Sequence, residues 1–152
     1  MIRAWRLVKG SYAPGAFSGE GARRFGSRWT SPGVTATYAA ESLSLATLEV
    51  LVHLGSSAPL AAYVSIPIDF PEGIVETVDK RKLPRGWRTD PAPAAARALG
   101  DKWIEAGERA VLKLPSVVIP QEHIFLINPR HPDFAKAKPG CPTAFVPDER
   151  LP

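Results

Sequence analysis

The pattern of apolar and polar positions divides the chain into short elements. Ile2–Val8 interleaves apolar side chains with Arg3 and Arg6 and reads as a first strand. Lys9–Ser27, rich in glycine and serine, reads as a loop, and Thr35–Ala39 as a short strand. Ser42–Leu54 predicts a helix, with Ser42 as cap and Gly55 just past its end. Leu45–Val52 is apolar on nearly every face except at Glu49, so this helix is expected to be buried. Ala62–Ile68 follows as a strand and Ile74–Val78 as a weaker one. A second helix is expected over roughly Ala92–Ala106, started by Asp90 as N-cap and Pro91 at the first helical position, and broken near Gly100. Ala110–Leu114, Val117–Ile119 and Ile124–Ile127 are apolar and β-branched, as strands are. Thr143–Val146 reads as an edge strand. Several strands with two helical segments imply an α+β domain.

Length and composition narrow this picture. The 152 residues fit one domain, residues 1–152, and 45% apolar with 22% charged residues is a globular composition. No apolar run approaches the ~20 residues of a membrane helix. The start, Met1–Gly10, lacks the apolar stretch and cleavage site of a signal peptide, so a cytoplasmic protein with no membrane contact is expected. Cys141 is alone, which excludes an internal disulfide and a cysteine-based zinc cage. His53, His123 and His131 have no metal-ligand spacing, and no metal is expected. The net charge of +4 arises mainly from Arg3, Arg6, Lys9, Arg23, Arg24 and Arg28. Such a bias suits a pyrophosphate, an acidic protein or nucleic acid.

The candidate chemistry concentrates between Gly19 and Glu49. Glycines at 19, 21, 26 and 33 let backbone approach a ligand, and arginines supply forked donors for phosphate. The segment has no G-x-x-x-x-G-K-[ST], so it is not a phosphate loop, and alone it is equally a solvated surface loop. Glu49, in an apolar helix, needs a charged or hydrogen-bonding partner. Tyr38, just before that helix, offers a ring for stacking or for the core. His53 lies one turn after Glu49, where pairing is geometrically open, and is read as packing. Ser116 has no nucleophile elbow around it and is a poor nucleophile, though a possible ligand contact. Trp87 and Trp103 read as core or lid aromatics.

Taken together, these pieces resemble the RES domain family, named for arginine, glutamate and serine. The resemblance runs through Gly19–Gly33, with Arg28-Trp29 and Ser31-Pro32-Gly33, then through Tyr38-Ala-Ala-Glu-Ser42 and Leu48–Leu54. It continues through Leu99-Gly-Asp-Lys-Trp103, Pro115-Ser116 and Asn128–Phe134. The family's arginine maps to Arg28, its glutamate to Glu49 and its serine to Ser116; a site tyrosine maps to Tyr38 and a first-strand arginine to Arg6. Thr30 departs from the asparagine usual after the Arg-Trp pair, which leaves the local hydrogen bonding open.

The resemblance implies a fold like the diphtheria-toxin-type ADP-ribosyltransferases, with mostly antiparallel sheets and few helices. It implies the toxin of a bacterial type II toxin–antitoxin pair, held in a hetero-oligomer by an Xre-like helix-turn-helix antitoxin. It also implies cleavage of NAD⁺ at the nicotinamide–ribose bond, with ADP-ribose passed to water, to phosphate or to a cellular target protein. NAD⁺ is then a consumed substrate and no cofactor is required. On that reading Glu49, Arg28 and Tyr38 are catalytic, and Arg6, Arg28, Trp29, Tyr38 and Ser116 bind NAD⁺. Arg28 and Arg6 would contact phosphates and Tyr38 would stack. Glu49 would bind ribose hydroxyls and stabilise the developing cation, and Ser116 would position the ligand or Glu49. A dinucleotide fold for hydride transfer has no G-x-G-x-x-G here. The competing class is a non-enzymatic, basic nucleic-acid-binding module. The small basic excess and the lack of a recognition-helix or zinc-finger pattern weigh against it, so no direct nucleic-acid contact is expected.

Overall fold

The computed structural model describes residues 1–152 and is organised around one eight-stranded sheet. Its strands are β1 (Ile2–Lys9), β2 (Thr37–Ala40), β3 (Tyr63–Phe70), β4 (Val75–Thr77), β5 (Val111–Pro115), β6 (His123–Ile127), β7 (Lys138–Pro139) and β8 (Thr143–Ala144). They lie in the order β4-β5-β6-β2-β1-β3-β7, with β8 also on β3. All pairs are antiparallel except β4 with β5. Three α-helices accompany the sheet: α1 (Glu20–Phe25), α2 (Leu43–Leu54) and α3 (Ala94–Ala106). The α+β class and the mostly antiparallel pairing match the reading of the sequence.

Alternation along the strands gives the sheet two apolar faces. Ala4, Ala39, Ile68, Phe70, Phe125 and Ile127 cluster on one, with Phe70 and Phe125 edge to face at 5.2 Å. The other face carries two clusters. Leu7, Ala40 and Leu60 pack with Leu45 and Ala46 of α2. Leu112, Leu114 and Leu126 pack with Trp29 and with Ala96 of α3. Pairing is uneven in the middle of the sheet. β1 pairs with β3 along its whole length, but meets β2 only at Trp5–Ala40.

α2 forms where its periodicity places it. The Ser42 hydroxyl accepts from the Leu45 N–H at 3.1 Å, and Gly55 ends the helix at φ +71°. It is not buried all round, however. Only Leu45, Ala46 and Thr47 are buried, while Leu48 and Val52 are 39% and 59% exposed. The apolar run coats a helix lying on the sheet, so Glu49 stands at its edge and is half-buried.

α3 corrects two expectations. It starts at Ala94 behind Pro93, and Asp90 does not cap it. A residue before proline is pushed out of the helical region, so Ala92 cannot open a helix that must pass through Pro93. Nor does Gly100 break the helix. A Cβ at Gly100 would lie 1.7 Å from the Trp29 carbonyl oxygen, so glycine serves close packing there.

Other boundaries also move. The segment read as a loop before Ser27 contains a 3₁₀ turn at Gly10–Gly15 and α1. Val117–Ile119 is a turn rather than a strand, because the Val118 and Ile119 N–H groups donate to the Ser116 hydroxyl at 3.1 and 3.0 Å. Those side-chain bonds replace a ladder. The edge strand itself is confined to Thr143 and Ala144, with one further bond from the Phe145 N–H to the Tyr63 carbonyl. No helix is long and apolar enough to cross a membrane.

Candidate active site

A cavity of about 610 Å³ opens between the α2 and α3 clusters, on the face where β1 and β2 barely pair. That volume lies within the ~300–1,000 Å³ of small-molecule sites. Arg6, Arg28, Trp29, Tyr38 and Glu49 all line it, although they come from different elements.

Glu49 enters from α2, and its carboxylate accepts a hydrogen bond from the Ser116 hydroxyl at 2.7 Å. Ser116 is fully buried at the end of β5. Its oxygen accepts from Val118 and Ile119 while its single proton goes to Glu49. A serine hydroxyl has one donor and two acceptor sites, so Ser116 is saturated and its direction is fixed. It is therefore built to orient a carboxylate: two backbone donors occupy its lone pairs, which leaves none free for nucleophilic attack.

Tyr38 projects from β2, and its hydroxyl bonds with Ser27 and Thr30. Burial raises the phenol to about 12, although the Ser27 and Thr30 bonds counter part of the effect. Tyr38 is thus neutral at physiological pH, with its hydroxyl engaged, and it lines the cavity. Thr30 resolves the question raised by its departure from the family pattern. It is buried, its hydroxyl meets that of Ser27 at 2.7 Å, and its N–H donates to the same oxygen.

The two arginines differ. Arg6 Nη1 donates to the Tyr38 carbonyl at 2.9 Å, where no β1 residue pairs with Tyr38. Its Nε is buried with no acceptor. Burial lowers the guanidinium to about 10, against a smaller opposing effect of Tyr38, so it remains a cation at neutral pH. A buried, unpaired N–H is costly, and Arg6 thus keeps a donor that no group of the chain satisfies. Arg28 is partly committed within the chain. Its Nη1 donates to the carbonyls of Trp87 and Thr89 at 3.2 and 2.7 Å, tying residues 87–89 to the cavity rim. A guanidinium has five N–H donors, so capacity for a ligand remains.

Trp29 lines the cavity but is only 1% exposed; it lies 6.1 Å from Trp87, and its Nε1 is buried without a partner. His53 lines the cavity, but forms no hydrogen bond with Glu49. Trp87 and Trp103 both pack against the α3 cluster, and Trp103 Nε1 donates to Glu76 at 2.9 Å.

Three residues escaped the sequence reading. Phe25 and Arg97 line the same cavity. Asp101 accepts from the Ser31 N–H and hydroxyl at 2.8 and 2.6 Å, clamping the segment that carries Arg28 to α3. The only sequence signal for this clamp was the Leu99–Trp103 motif.

Known proteins give this geometry a context. Residues 3–152 match the RES domain. The chain is 35% identical to Toxin Res of Yersinia enterocolitica, covering 97% of both chains. It is 38% identical to the Prs ADP-ribosylating toxin of a Sphingobium species, covering 97% of this chain and 94% of the relative. Among solved structures, the Mycobacterium tuberculosis MbcT–MbcA toxin–antitoxin complex contains a chain of the same fold. Its TM-score is 0.77 at 19% identity, over 95% of this chain and 84% of that one. The motifs, the site they build and these full-length similarities agree: the chain belongs to the RES domain family.

Proposed function

We propose that this protein is a toxin that cleaves the nicotinamide–ribose bond of NAD⁺ in the cavity beside Glu49. The observation that carries the reading is the Ser116–Glu49 bond, which fixes one oriented carboxylate in a cavity otherwise rich in arginine. The names of two relatives, Toxin Res and Prs ADP-ribosylating toxin, support it.

The chemistry follows from charge. The bond between ribose C1′ and the pyridinium nitrogen breaks with its electron pair going to nitrogen, and neutral nicotinamide leaves. Positive charge moves to the ribose, as in glycoside hydrolysis. Glu49, whose carboxylate Ser116 holds in place, stabilises that cation and binds ribose hydroxyls. Arg6 and Arg28 hold the pyrophosphate. The Tyr38 ring packs on the nicotinamide side, its neutral hydroxyl kept by Ser27 and Thr30. No separate cofactor enters this scheme. The acceptor then bonds to C1′ and loses a proton.

Three acceptors are chemically open: water, phosphate and a protein side chain. The Sphingobium relative, named for ADP-ribosylation, favours transfer to protein as a second reading. Incubation with NAD⁺ labelled in its adenylate half, together with bacterial lysate, separates them. A discrete labelled protein supports transfer; free ADP-ribose or its 1-phosphate supports depletion. Label left entirely in NAD⁺ contradicts the proposal.

We also propose a cognate Xre-type antitoxin as partner. Support for an antitoxin comes from the solved relative, whose complex is a toxin–antitoxin pair. Co-expression that restores growth, with co-purification of the two chains, is the test.

A further inference from the structure

Two side chains of the cavity have no structural employment. Arg97 sits in the first turns of α3, half-buried, and lines the cavity. Arg6 donates to the Tyr38 carbonyl and Arg28 to those of Trp87 and Thr89, whereas Arg97 makes no hydrogen bond or ion pair within the chain. Phe25 ends α1, lines the same cavity and is 81% exposed. A phenylalanine so placed forgoes the burial its ring offers.

The backbone nevertheless holds Phe25 at this position. Gly26, at φ +70°, turns the chain immediately after it, and a Cβ there would lie 2.8 Å from the Pro32 ring. The ring is therefore presented by a turn that only glycine fits. Both residues belong to the α1 and α3 side of the cavity, and Glu49 belongs to α2. A dinucleotide whose scissile bond lies at Glu49 continues through a pyrophosphate to adenosine. The remainder must rest on groups away from α2.

We propose that Arg97 and Phe25 form the subsite for the adenosine diphosphate half of the substrate. Arg97 pairs with the pyrophosphate, and Phe25 stacks on the adenine. This rests on the NAD⁺ reading above and adds two residues to which the sequence assigned no role. Arg97 completes a set of three cationic side chains facing two carboxylates, Glu49 and Asp90, in the cavity. A doubly charged pyrophosphate needs that excess. Aromatic stacking suits adenine because the base presents a π-face whatever its edges contact.

The test titrates ADP into the purified chain and measures NAD⁺ turnover on the same samples. Phe25→Ala, Phe25→Trp, Arg97→Gln and Arg97→Lys are compared with wild type, with circular dichroism to verify folding. The expected result is ADP binding by wild type, weakened about tenfold in Phe25→Ala and Arg97→Gln. Phe25→Trp should retain it, and Arg97→Lys should retain part. The KM for NAD⁺ should rise in the weakened variants with little change in kcat. ADP affinity and KM unchanged in both weakened variants would overturn the subsite and leave NAD⁺ cleavage standing. ADP binding that depends on both residues, without any NAD⁺ turnover by wild type, would keep the nucleotide subsite and remove the cleavage reading. A wild type that binds no ADP overturns the subsite.

Discussion

Ser116 illustrates how a buried hydroxyl acquires one function. Two backbone donors occupy its lone pairs, and its proton has only Glu49 to meet. Removing it frees the carboxylate and strands the Val118 and Ile119 N–H groups. Ser116→Ala should lower kcat about tenfold more than it raises KM, and lower stability by on the order of 1–3 kcal/mol. Steady-state kinetics and chemical denaturation measure the two effects separately. Tyr38 gives a prediction in pH. Its folded phenol, raised to about 12, holds its proton where an unfolded tyrosine has lost it near pH 10. That contribution to stability is complete below pH 10 and declines as pH rises toward 12. Ultraviolet titration of the phenolate should therefore show a component near pH 12 that is missing in Tyr38→Phe. If that component persists in the variant, the burial of Tyr38 is wrong.

Among the elements, those with local instructions were legible and those set by distant contacts were not. α2 carries its own cap, Ser42, and its own stop, Gly55, and both act as read. Its burial was misjudged because apolar residues on the outer face, Leu48 and Val52, carry no mark of which side meets the sheet. The start of α3 was misplaced by weighing Asp90-Pro91 as a cap over the constraint that Pro93 puts on Ala92. The local pattern makes Gly100 a weak point, because the carbonyl of Trp29, 71 residues earlier, is invisible in it. The structure makes it a required contact. Gly100→Ala should destabilise by roughly 1–3 kcal/mol through overpacking, read as a fall in Tm. Asp101→Ala should release Ser31 and loosen the Arg28 segment, raising KM for NAD⁺ several-fold, with Asp101→Asn intermediate. An unchanged KM in Asp101→Ala would show that the clamp does not serve the site.

In the molecule as a whole, the site exists because the sheet is imperfect in its middle. β1 and β2 pair at one position, Arg6 takes a β2 carbonyl, and the cavity opens between the clusters beneath α2 and α3. The sequence marks Arg28, Tyr38 and Glu49 within one continuous stretch, while only the family's motif joins the distant Arg6 and Ser116 to them. Phe25, within the flagged Gly19–Gly33 stretch, and Arg97, in an alanine-rich helix, carry no mark of a role until the fold brings them to one cavity. The central claim is that this cavity cleaves NAD⁺ through Glu49. The direct measurement is nicotinamide release from NAD⁺ by the purified chain and by Glu49→Gln, with folding verified for both. Stabilisation of the ribose cation by Glu49 predicts turnover by the wild type and a loss of about 10²–10³-fold in the variant. Undiminished turnover by Glu49→Gln, or no nicotinamide released by the wild type, would contradict it.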